Sequence, residues 1–314
     1  MPVSFLSNEQ RENYGRYSAA LSPLDLARYF HLDDADHALI AKKRGDYNRI
    51  GFAVQLCTVR YLGTFLDDPL AVPASVIHTL ANQLGIEVVG DLRAYSIGEQ
   101  RWQHAAEIRT RYGYVEITER QVGFRLTRWL YSLCWTDTDR PSVLFERATT
   151  WLVTHKVLLP GCSTLERYIA SLRSRVENRL WRSLGRGISS EQQARLENLL
   201  VIPEGNRNSL LDRLRTGPVR ISGPSLVQAL LRLHSVRELG IKLPTAHIPM
   251  SRLAALARYA STAKVSAILR LPNPRRLAML VAFVHCLEAT AQDDALEVLE
   301  ALLRDLFNAA IRGR

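Results

Sequence analysis

Apolar residues recur at spacings of three and four from Pro23 to the end of the chain, and strand-like alternation is nearly absent, which predicts an all-α fold. Ser22, with Pro23 at the first helical position, opens a helix to about Tyr29. Asp33 caps a second helix running through Arg44, with Gly45 closing it, and a third runs from about Asn48 to Phe65. Three helices on short turns have the rhythm of a helix-turn-helix unit and equally of a plain three-helix core; the third, with Ile50, Phe52, Val54, Leu56 and Val59, is too apolar for a simple recognition helix. Pro69 and Pro73 bracket a turn, a helix follows to Leu84, and a Ser96/Glu99 capping box starts another to about Arg111. Tyr112 to Thr118 is the one stretch expected to be extended. Helices near 119–135 and 142–154 complete a first domain, 1–160, ending at Leu159-Pro160-Gly161.

A second capping box, Ser163 with Glu166, opens a long amphipathic helix to Leu184 that Gly185-Arg186-Gly187 stops. Further helices are expected near 190–201, 208–215, 224–239, 275–290 and 294–311, with turns at Gly217-Pro218, Gly223-Pro224, Leu243-Pro244 and Pro272-Asn273-Pro274. They make up a second helical region, 161–314, with a candidate subdivision near 217–224. No fixed-period repeat emerges, so the expected architecture is several small helix-turn-helix-like modules packed in tandem and not a solenoid.

With 314 residues, 47% of them hydrophobic, the chain can bury a substantial core. Its 41 basic residues against 31 acidic ones leave a formal net charge of +10, which favours a polyanionic partner. Arginine supplies 36 of the cations and lysine 5. Arginine grips phosphate and guanine bidentately, although a GC-rich coding sequence would produce the same ratio without producing the net charge. Cys57, Cys134, Cys162 and Cys286 stand far apart among apolar residues with no CxxC pair, as buried thiols of a reducing cytoplasm do. The first residues lack a charged segment followed by an apolar one. No apolar run approaches the roughly 18 residues of a membrane helix. A soluble, cytoplasmic protein is expected.

The long helix carries the most informative charge pattern. Leu165, Ile169, Leu172, Val176 and Leu180 form one apolar stripe, while Arg175, Arg179, Arg182 and Arg186 recur at i, i+4, i+7 and i+11 beside it, with Arg173 nearby. Only Glu166 and Glu177 are acidic on this helix, so the arginines repel one another. A DNA duplex, with one charge per roughly 1.7 Å of axis, would relieve them; acids from elsewhere in the fold would do so too. Lesser clusters are Lys42, Lys43, Arg44 and Arg49 at a helix end, where the helix dipole alone accounts for cations. Arg101, His104, Arg109 and Arg111 interleave with Tyr112 and with Trp102, the latter expected in the core. Arg207, Arg213, Arg215 and Arg220 surround short turns, and Arg275 and Arg276 open a helix behind Pro274.

Catalytic patterns are thin. There is no HExxH, phosphate-binding loop, GxSxG elbow or GxGxxG after a strand. The acid pairs Asp33-Asp34 and Asp293-Asp294 fit helix starts and Asp67-Asp68 a proline turn, and the histidines are scattered. No catalytic residue, metal site or cofactor is expected in this chain.

Three longer stretches carry a specific likeness: Leu26-Ala-Arg-Tyr-Phe-His-Leu-Asp33 through Ile40, Arg44-Gly-Asp-Tyr-Asn-Arg-Ile-Gly-Phe-Ala-Val-Gln-Leu56, and Thr58-Val-Arg-Tyr-Leu-Gly-Thr-Phe-Leu66. With Ile108-Arg109, Tyr112-Gly-Tyr114, Lys156-Val-Leu-Leu-Pro-Gly161, Thr164-Leu-Glu-Arg167 and Leu256-Ala-Arg-Tyr-Ala260, they resemble the opening of class II replicative transposases of the Tn3 type. The resemblance implies an N-terminal helical region that binds double-stranded DNA at the terminal inverted repeats of the transposon. It also implies a DDE-type, RNase H-like catalytic domain, magnesium-dependent and absent from this chain, and self-association of the full-length enzyme. On that expectation this chain is no enzyme by itself. The alternative is a helical protein-interaction or regulatory scaffold with only non-specific DNA affinity.

Overall fold

The computed structural model describes residues 4–17, 21–87, 92–243 and 248–312, and among them every regular element is a helix. The turn expected at Leu243-Pro244 reaches outside these residues. In chain order the helices are α1 (Asn8–Asn13), α2 (Pro23–Tyr29), α3 (Asp34–Ile40), α4 (Asp46–Leu62), α5 (Ala74–Leu84), α6 (Arg93–Ile97), α7 (Gln100–Tyr112), α8 (Arg120–Thr136), α9 (Pro141–Thr154), α10 (Cys162–Gly185), α11 (Ser190–Asn198), α12 (Leu210–Arg215), α13 (Gly223–Glu238), α14 (Met250–Thr262), α15 (Val265–Leu269) and α16 (Asn273–Arg312). Extended backbone pairs once among the described residues, in a parallel bridge between Val115, within the Tyr112–Thr118 stretch the sequence marks as extended, and Val157, outside it; Tyr112 itself ends α7.

Two compact units form, each discontinuous in sequence: Met1–Leu130 with Asp139–Leu172, and Tyr131–Thr138 with Arg173–Arg314. Leu159-Pro160-Gly161, the boundary expected from the sequence, lies inside the first unit, and α8 and α10 contribute to both. The first unit is built around α4. Every residue from Ile50 to Val59 is buried, and α2, α3, α5, α6 and α7 pack against it. A helix surrounded in this way has no free face to lay in a DNA groove, in line with its apolar sequence. The second unit is built around the first half of α16, where Ala278 to Val284 are buried beneath α11, α13 and α14.

Several local signals act as expected. The Ser22 hydroxyl accepts the Asp25 N–H at 3.1 Å, and Asp33 and Asp36 form a capping box at the start of α3. Others act differently. Helix α3 ends at Ile40, so Gly45, at φ +80°, opens α4 and does not close α3. Ser96 lies within α6 and donates to Asp68 at 2.7 Å, leaving α7 without a side-chain cap. Glu166 does not complete a box with Ser163; its carboxylate turns inward and accepts the backbone N–H groups of Phe5 (3.0 Å) and Leu6 (3.2 Å). The last two helices are one, 40 residues long. Asp293-Asp294 therefore stands mid-helix, where Asp294 pairs with Arg232 of α13.

Candidate nucleic-acid interface

The second half of α10 is amphipathic in the sense its sequence requires. Val176, Leu180 and Leu184 are buried, as are Leu165, Ile169 and Leu172 earlier on the helix. On the other face Arg175, Asn178, Arg179, Arg182, Ser183 and Arg186 line one open concavity of about 720 Å³, closed by Trp135 and Ile248. All four arginines are exposed, and no carboxylate is among the described residues that line the hollow. Arg175, Arg182 and Arg186 have no partner among the described residues, so no described carboxylate offsets their repulsion.

Arg179 is different. Its Nη1 donates to the Tyr131 hydroxyl at 3.0 Å, and its guanidinium lies 5.7 Å from the Tyr131 ring centre and 5.3 Å from that of Trp135. The two rings belong to α8, one turn apart, and stack on each other with a 12° interplanar angle. Behind this group Arg252 of α14 donates to the Asp137 carbonyl at 3.3 Å, while its Nε is buried without a partner. Burial, together with the positive charge of Arg173, holds the Arg252 guanidinium below its ordinary pKa against the pull of Glu177. Arg173 itself is half-buried.

The lesser clusters divide into exposed cations and cations engaged within the fold. Lys42 and Arg44 are exposed, whereas Lys43 pairs with Glu107 and lies over the Phe52 ring. Arg49 donates to the Lys43 carbonyl at 3.2 Å and approaches Asp46 at 3.4 Å. Arg101 donates to the Asp67 carbonyl at 3.1 Å and covers Trp102, which is 64% exposed and not in the core as expected. Its place at the first turn of α7 turns the ring outward, while His104 points in. Arg109 pairs with Glu116 at 3.1 Å, and Arg111 is exposed.

Arg207, Arg213 and Arg220 are exposed. Arg215 is not: it donates to the carbonyls of Ala260 and Ala263 and pairs with Asp212 at 2.9 Å. Arg276 likewise grips Glu197 through Nε at 3.0 Å and donates to the carbonyls of Leu269, the last residue of α15, and of Leu271 just beyond it, while Arg275 lies over Trp181. Sequence spacing overlooks Tyr131, Trp135 and Asn178. The first two could have been found as an aromatic pair at i and i+4, but nothing local joins them to Arg179. No group of three or more His, Cys, Asp or Glu side chains among the described residues is placed to hold a metal, and no described helix is long and apolar enough to cross a membrane.

Fold and surface together define an all-helical, two-unit protein with a row of four exposed arginines lining one hollow. The chain belongs to the family described as "Domain of unknown function (DUF4158)", whose model matches residues 5–172. It is similar to the transposase for transposon gamma-delta of Escherichia coli strain K12, 45% identical over 312 residues covering 99% of this chain and 31% of that one. The transposase for transposon Tn2501 of Escherichia coli is 32% identical over 295 residues (91% and 29%), and that for transposon Tn501 of Pseudomonas aeruginosa 30% over 291 residues (91% and 29%). The chain thus spans less than a third of the length of the curated relatives it matches.

Proposed function

We propose that this chain is the end-recognition part of a transposase for replicative DNA transposition, binding double-stranded DNA at the terminal inverted repeats. The arginine face of α10 carries the reading: four exposed guanidinium groups in one row, in a hollow with no carboxylate among its described lining residues, are costly to keep together unless a polyanion meets them. The names of the relatives supply the biological setting. In this reading Arg175, Arg179, Arg182 and Arg186 form the main contact, and Lys42, Arg44, Arg207, Arg213 and Arg220 are auxiliary phosphate contacts. Arg215 and Arg276, whose donors are engaged inside the fold, drop out of the interface. The chain acts in the cytoplasm at the nucleoid and cuts no DNA. Magnesium-dependent cleavage and self-association belong to the full-length enzyme.

The test is fluorescence anisotropy with a duplex carrying a transposon end against a scrambled duplex, across a salt series. Preference for the end duplex supports the reading; equal affinity removes end recognition. A protein-interaction scaffold is the competing function, favoured by the exposed apolar side chains Leu306, Phe307 and Ile311 at the far end of α16. Failure to bind either duplex at moderate salt would select it.

A further inference from the structure

The four arginines of the α10 row are chemically alike but not mechanically alike. Arg175, Arg182 and Arg186 are exposed and have no partner among the described residues, so each must lose rotamer freedom when it grips a ligand. Arg179 has already lost it. Its Nη1 is held by the Tyr131 hydroxyl at 3.0 Å, and its guanidinium carbon lies 5.7 and 5.3 Å from the centres of two stacked rings, Tyr131 and Trp135. With Nη1 engaged, the Nε and Nη2 edge remains, and that edge presents two parallel N–H donors spaced for two oxygens of one phosphate. The site is a hollow of about 720 Å³ with Trp135 as one wall. A hollow receives the ridges of a duplex, its sugar–phosphate strands, and not the recessed edges of its bases.

We infer that Arg179 is the register-setting contact of the interface: a preorganised, bidentate clamp for one backbone phosphate, held in place by Tyr131 and Trp135, around which the other three arginines adjust. The inference rests on the DNA-binding reading above. A fixed clamp rewards one placement of the duplex, so it acts mainly in the specific complex. Mobile arginines follow the backbone wherever it lies and strengthen specific and non-specific complexes alike.

The test compares Arg179→Lys, Tyr131→Phe and Arg182→Lys, each checked for an unchanged circular dichroism spectrum and melting curve, on the end duplex and the scrambled duplex. Lysine keeps the charge and loses the fork. Arg179→Lys is expected to weaken binding to the end duplex by about fivefold or more while changing the scrambled duplex less than about twofold, with an unaltered salt slope. Tyr131→Phe should shift binding in the same direction by a smaller factor, and Arg182→Lys should leave discrimination unchanged. Equal losses on both duplexes for Arg179→Lys, or no change in Tyr131→Phe, overturn the inference while leaving DNA binding intact. Wild-type protein that fails to discriminate the two duplexes overturns the end-recognition reading itself.

Discussion

Arg60 meets Asp36 with both arms of its guanidinium, Nη1 to Oδ2 and Nη2 to Oδ1, each at 2.7 Å, and so ties α4 to α3. The Tyr112 hydroxyl adds a third donor at 2.6 Å, and the carboxylate is fully buried. Replacing Asp36 by Ala leaves an uncompensated guanidinium in this position and should cost about 3–5 kcal/mol, read by urea unfolding. Burial pushes the Asp36 carboxyl up, but the Arg60 and Tyr112 hydrogen bonds and the Arg60 charge outweigh it and hold the pKa below the usual 3.8. A depressed carboxyl stabilises the fold above its unfolded-state value. That contribution should disappear as pH falls below about 3.8 towards the folded-state value, and the variant should lack this part of the acid limb.

His104 adds a second acid-sensitive step. It is buried, its Nδ1 lies 2.9 Å from the Tyr95 hydroxyl, and burial, with the Lys43 charge beside it, lowers its pKa from 6.5 to about 4. The neutral ring is the form that fits, so stability should be complete above pH 6.5 and decline as pH falls through about 4. His104→Gln should remove the slope in this window, measured by melting temperature against pH. A slope that persists in the variant would contradict this account.

The same pocket explains a glycine. A Cβ at residue 51 would meet the Tyr95 ring at 2.5 Å, and that ring is fixed by the hydrogen bond its hydroxyl receives from Gln55 at 2.7 Å. Gly51→Ala should therefore destabilise the chain by about 1–3 kcal/mol through overpacking. Gly113→Ala, where the added atom meets nothing within 4 Å, is strained only by the backbone φ of +72° and should cost less.

Glu166 fastens the start of the chain to α10. It is 2% exposed, accepts two backbone N–H groups and pairs with Arg11 at 2.8 Å. Glu166→Ala should speed hydrogen exchange at the Phe5 and Leu6 amides and admit proteases to the first 15 or so residues before the rest of the chain opens. Unchanged exchange at those two amides would show that the contact is dispensable.

Helical periodicity made the α10 stripe visible because phase on a helix depends only on spacing, and the burial of Val176 and Leu180 follows from the same arithmetic. The state of an individual arginine does not follow. Arg213 and Arg215 stand two residues apart on α12, yet one is exposed and the other reaches Ala260, a partner that only tertiary packing brings near. Capping signals misled where a polar side chain found a distant partner. Glu166 turned to Phe5 and Leu6, and Asp294, an apparent helix start, pairs with Arg232 and lets α16 run on. The Tyr131–Trp135 support of Arg179 was hidden for the same reason, since 48 residues separate hydroxyl and guanidinium.

Structural and binding arginines should separate cleanly. Arg215→Ala removes four internal hydrogen bonds or ion pairs and should lower stability by roughly 2–4 kcal/mol, with the salt dependence of DNA binding unchanged in the folded fraction. Arg182→Ala should do the reverse, leaving the melting curve in place.

The salt dependence of duplex binding by Arg182→Ala tests the central claim most directly. With anisotropy measured on end and scrambled duplexes from low to moderate salt, the slope of log affinity against log salt should fall by about 0.9 on both, the signature of one lost phosphate contact. A slope identical to wild type on both duplexes would show that the arginine face of α10 does not meet DNA.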